Sequence, residues 1–83
     1  MSQHATQLNA EDGTYFKKHA TLKDGLAYVE SQMGHKDYHK TPEGEIHARD
    51  GYGRSIFLTP CSNEQYDAMV DNEKKFGRLV QSS

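Results

Sequence analysis

Cysteine is almost missing from this chain. Cys61 is the only one among 83 residues. No intrachain disulfide can form, so a disulfide-stapled secreted scaffold is excluded. No apolar run approaches the ~18 residues that a membrane-spanning helix needs. Met1 to Ala10 shows neither a basic n-region nor an apolar h-region, so no signal peptide is expected there. The expected compartment is therefore the reducing cytoplasm. An excess of one charge sign is also absent. Ten Lys and Arg stand against twelve Asp and Glu, for a formal net charge of −2. Dedicated nucleic-acid binders usually carry a strong basic excess, which this chain lacks, although a local basic patch stays compatible with it.

Large apolar side chains are scarce as well. Leu, Ile, Val and Phe together account for 13 residues, about 16%. That is below the roughly 20% at which disorder becomes a concern. The low net charge argues against disorder, and five Tyr and three Met add apolar area. The expectation is one small folded domain with a thin core, of the kind that gains stability from a partner.

The elements follow from pattern and punctuation. Residues 1–12 are polar, with Leu8 the one large apolar side chain after Met1, and read as a flexible tail. The domain then spans 13–83. Gly13 to Ala20 alternates as a first strand, with Phe16 and Ala20 toward the core and Tyr15, Lys17 and His19 away from it. Thr21 to Met33 is a helix: Thr21 caps it, Asp24 occupies N3, and Leu22, Leu26, Val29 and Met33 form one apolar stripe. Gly34 is the expected stop. Glu45 to Arg49 and Arg54 to Thr59 are strands joined at Asp50-Gly51, and Pro60 ends the second. Ser62 opens a second helix with a Ser-x-x-Gln capping box, Cys61 can staple onto Tyr66, and the apolar face continues through Met69, Val70, Phe76 and Val80. The predicted fold is α+β, a two-layer β-α-β-β-α sandwich: a three-stranded antiparallel sheet with both helices on one face.

Residues able to carry chemistry are few. Cys61 sits at a helix start, where a thiol pKa falls, but packing alone explains a residue at that position. There is no Gly-x-Ser-x-Gly elbow. Gly51-Tyr52-Gly53-Arg54 lacks the Lys-Ser/Thr of a phosphate loop. No catalytic residue and no cofactor are expected. His35, His39, His47 and Cys61 are of the right type for zinc, but their spacing fits no finger or ribbon. No metal site is assigned, and a His-rich metal-binding protein stands as an alternative. A nucleic-acid-binding sheet face is another: Lys17, Lys18, His19, Lys23, Arg49 and Arg54 with Tyr38 and Tyr52 could stack and hold a strand, but interleaved acids blunt the field.

Protein binding has the best residue-level support. With Ile46, Ala48, Ile56 and Leu58 under the helices, Tyr15, His47, Tyr52 and Phe57 would lie on the outer sheet face beside Arg49 and Arg54. Aromatics and Arg are enriched at interface hot spots. The acidic stripe Glu64, Asp67 and Asp71 is a second candidate, suited to a basic partner. Glu73 falls mid-stripe among apolar positions of the second helix and needs a partner, inside the chain or outside it. The expected function is a non-catalytic accessory protein that binds a protein partner, as an inhibitor or adaptor does. Phage or mobile-element proteins directed at host defence have this makeup. A homodimer also fits a thin core with an aromatic outer face.

Overall fold

The computed structural model describes residues 3–33 and 38–82. The order along the chain is β1 (Gln3–Ala10), β2 (Gly13–His19), α1 (Leu22–Met33), β3 (His39–Lys40), β4 (Ile46–Arg49), β5 (Ser55–Cys61), α2 (Asn63–Lys75) and β6 (Leu79–Gln81). The six strands form one sheet in the order β3-β4-β5-β1-β2-β6. Every pairing is antiparallel except β2 with β6. The molecule is a small α+β domain, as expected, but its sheet is six-stranded and mixed rather than three-stranded and antiparallel.

Residues expected as a flexible tail are the largest correction. Gln3–Ala10 is a central strand, paired along its length with β2 on one side and β5 on the other. Its turn, Glu11-Asp12, is followed by Gly13 at φ 135. Asp12-Gly13 is the same hairpin dipeptide as Asp50-Gly51. β1 has few β-branched or aromatic residues, and its small side chains Ala5 and Thr6 are buried because neighbours cover them.

Side chains alternate across a strand, so the register settles the faces. Leu8 lies opposite Ile56, which lies opposite Ala48, and Ile46 lies opposite Leu58. These point toward α1, where Val29 and Met33 complete a buried cluster. Gln7 lies opposite both Phe16 and Phe57, and Gln3 lies opposite Cys61. These point the other way. There, Ala5, Phe16 and Cys61 pack with Tyr66 of α2, joined by Met69, Val70 and Leu79. The two helices therefore cover opposite faces of the sheet, not one. The consecutive apolar run Ile56-Phe57-Leu58 carries the physical reason: both faces of β5 have apolar side chains to shelter.

The α1 seam is the denser one. Ile56, Leu58 and Val29 are at most 1% exposed. Each such side chain contributes about 1.5–3 kcal/mol on burial. Gly25 lets the helix sit close: a Cβ there would stand 2.7 Å from Leu58 Cδ1. Thr21 caps α1 by accepting the Asp24 N–H at 3.1 Å. Gly34, the expected stop, lies outside the described residues.

Three further expectations change. β5 runs through Pro60 to Cys61. Pro60 shares the parity of Arg54, whose carbonyl accepts from Asp50 N–H. Its missing N–H therefore faces the β4 side, where pairing has already ended at Ile46 with Leu58. The second helix stops at Lys75, and Gly77 at φ 71 turns the chain into β6. Phe76 and Val80 are consequently exposed, at 60% and 44%, rather than part of a helix face. The start of α2 matches its signature: Ser62 accepts from Gln65 N–H at 3.1 Å, and Gln65 Oε1 accepts from Ser62 N–H at 2.8 Å.

Candidate functional site

α2 covers only part of its face. Its cluster sits over β2, β6 and the Cys61 end of β5. Among the described residues, no helix lies over the same face of β3, β4 and the Ser55 end of β5. That bare area is a shallow open hollow of about 640 Å³. Its lining includes Tyr38, His39, His47, Arg49, Ser55 and Phe57. Three strands place these residues. His47 lies opposite His39 on β3 and Phe57 on β5, and Arg49 lies opposite Ser55.

The rings in the hollow form a connected set. His47 meets Phe57 edge to face, centroids 4.8 Å apart, and His39 lies 6.5 Å from His47. Such pairs favour this offset geometry because ring edges are positive and ring faces negative. His47 Nε2 is 3.0 Å from Glu45 Oε1, which fixes the imidazole plane. Phe57 is flanked by β1 but not covered by it, because Gln7 is its neighbour within the sheet.

The hollow runs up to the β4–β5 loop, and that loop is held rigidly from inside. The Asp50 carboxylate is 1% exposed. Its Oδ1 accepts the backbone N–H groups of Tyr52 and Arg54, each at 2.9 Å, and its Oδ2 accepts from the Arg54 guanidinium. Burial pushes the Asp50 carboxyl up, but the bonds from Arg54 and Tyr52 outweigh it and hold it below the usual aspartate value. A group depressed in this way stabilises the fold above its ordinary pKa, and that contribution is lost as pH falls through the folded value. Arg49 Nη1 donates to the Gly53 carbonyl at 3.0 Å, linking hollow and loop. Tyr52 projects from this frame at 87% exposure, with the Arg54 guanidinium 5.3 Å from its ring centroid.

The nine residues proposed for partner binding thus separate into groups. His47, Arg49 and Phe57 share the bare face, and Tyr52 and Arg54 adjoin it on the loop. Tyr15 does not join them. It is on the α1 face, packed against that core, with its hydroxyl donating to Asp12. Glu64, Asp67 and Asp71 stay exposed on α2, apart from the hollow lining. Tyr38 and His39, both lining residues, were considered for nucleic acid and for zinc but not for this face, because nothing in the sequence shows that a short β3 forms. Glu73 finds its partner inside the chain: its carboxylate accepts from Arg78 Nε at 2.5 Å.

Among the described residues, the other candidate chemistries are not assembled. Among the described residues, no group of three or more His, Cys, Asp or Glu converges as metal ligands do. His35, one of the four residues considered for zinc, lies outside the described residues. Cys61 is buried beneath α2, and burial raises its thiol pKa, the opposite of what a nucleophile requires. The cations proposed for nucleic acid are dispersed. Lys17 lies over Tyr28 and Lys18 over Tyr66, on opposite faces of β2, each 4.9 Å from a ring centroid. His19 is buried. Among the described residues, no helix is long and apolar enough to cross a membrane. Comparison with protein-family models, curated proteins and solved structures yields no significant match for this chain.

Proposed function

We propose that this chain is a non-catalytic binding protein, an inhibitor or adaptor, that docks a protein partner on the bare half of its α2 face. Phe57 carries this reading. It is a half-buried aromatic side chain in mid-sheet, and among the described residues no helix packs over it or its ring partner His47. In a domain with so few large apolar residues, leaving one only half-buried forgoes stability. Partner binding recovers that loss, because anything that binds the native state alone stabilises it. The setting suits an interface: an aromatic centre, Arg49 and Arg54 at its edge, and Tyr52 held out on a loop whose conformation is already fixed. Preorganisation of this kind lowers the entropy lost on binding, and Tyr and Arg are the residues that dominate binding energy.

The experiment is affinity capture from the native host with the wild-type chain and with Phe57→Ser and Tyr52→Ala variants, read by mass spectrometry. Wild type is expected to retain a discrete protein that both variants lose, while Asp67→Asn retains it. Equal retention by all four would remove the bare face from the mechanism. A polyanion column run alongside tests the nucleic-acid alternative, since salt-dependent retention would favour that class instead.

A further inference from the structure

A second histidine pair lies on the opposite face, at the other end of the sheet from the β4–β5 loop. His4 of β1 and His19 of β2 are directly opposite each other in the register. Side chains so placed are near neighbours. His19 is 7% exposed, and its Nε2 stands 3.0 Å from the hydroxyl of Thr6, itself 2% exposed. Its ring leans on Tyr28 of α1, centroids 5.3 Å apart. On the same tyrosine ring lies the Lys17 ammonium, at 4.9 Å. His4 Nδ1 is buried and has no hydrogen-bond partner among the described residues.

We propose that His19, facing His4, forms an acid-sensitive latch between the β1–β2 end of the sheet and α1, closed when the His19 ring is neutral and released when it gains a proton. The geometry makes the charged state costly in three ways. The His19 ring is buried, and burial disfavours its charged form. Two imidazolium groups on facing positions repel each other. The Lys17 ammonium adds a third positive charge to the same pocket. Against these, among the described residues α1 presents Tyr28 and Asp24, of which Asp24 acts to raise the His19 pKa, while β1 adds the neutral Thr6.

The direction of the His19 titration agrees. Burial lowers its pKa from the ordinary 6.5, the Lys17 and His4 charges lower it further, and Asp24 acts the other way. The unfolded chain therefore binds protons more readily than the folded one. The latch contributes fully above about pH 6.5, and its contribution is lost as pH falls through the folded value. Release would free the first turns of α1, where Leu22 and Leu26 pack only at the margin of the core. Two imidazoles without a third donor make this a proton site rather than a metal site.

The test is an NMR titration of the five imidazoles in the full chain, with thermal unfolding of wild type and His19→Gln between pH 7.5 and 5. His19 is expected to titrate below 6.5. The wild-type Tm is expected to fall between pH 7 and 5. His19→Gln, which keeps a group able to bond Thr6, is expected to lose clearly less. Amide exchange at pH 5 should open first within Leu22–Met33. A His19 midpoint at or above 6.5, or wild-type and variant profiles that fall in parallel, would overturn the latch. Should the variant fail to fold, the His19 midpoint in the wild type decides alone.

Discussion

Toward α1 the sheet presents Leu8, Ile46, Ile56 and Leu58, all at most 7% exposed; toward α2 it presents Ala5, Phe16 and Cys61. The helices differ in the same sense. α1 buries Gly25, Val29 and Met33, whereas α2 buries Tyr66 alone. One face of this sheet is built to hold the fold together. The other is half covered by a lightly packed helix and half left open. A small chain with 13 large aliphatic and Phe residues cannot seal both faces of a six-stranded sheet, and the unsealed area is where Phe57, His47 and Arg49 meet. On the proposed function, stability and recognition fall on different sides of one sheet.

The steepest way to challenge that division is to cut into the α1 seam. Leu58→Ala removes a side chain at 0% exposure and is expected to cost about 4 kcal/mol, measured by chemical denaturation. A loss under about 2 kcal/mol would mean the α1 seam is not the principal core. Methionine offers a like-for-like contrast. Met33 on α1 is buried and Met69 on α2 is half-buried. Met33→Ala is expected to cost about 3 kcal/mol and Met69→Ala about 1, and equal losses would erase the asymmetry. Gly25→Ala sharpens it further. The new methyl meets Leu58 at 2.7 Å, so a net loss of about 1 kcal/mol is expected even though Ala is the better helix former. The smallest effect belongs to the open side: Tyr52→Ala should change stability by no more than about 0.5 kcal/mol, because the loop frame is made by Asp50 and not by the tyrosine ring.

Local signals in the sequence predicted local structure well. The Asp50-Gly51 turn, the Thr21 cap and the Ser62–Gln65 capping box each sit where the structure has them, because each depends on residues within a few positions of one another. What depends on distant neighbours was not legible. β1 is polar and poor in β-formers, and it becomes a strand only because β2 and β5 flank it. β6 has three residues, too short for periodicity to register, although Gly77 marks the break before it. The opposite placement of the helices was partly written in consecutive apolar pairs, Tyr15-Phe16 and Phe57-Leu58, which a single-faced sheet does not require. Of the site, His47, Arg49, Tyr52, Arg54 and Phe57 were visible as an aromatic and cationic set. Tyr15 was assigned to the wrong face because β1 was missing from the sheet, and the place of Tyr38 and His39 on the bare face was hidden because β3 was.

The most direct measurement is a map of backbone amide shifts in the labelled chain when it is titrated with the protein that affinity capture returns. The account predicts that the largest changes fall on His39, His47, Arg49, Tyr52 and Phe57, with α1 and the Glu64–Asp71 stripe of α2 little affected. Changes centred on that acidic stripe, or on the α1 face, would place recognition elsewhere and contradict it.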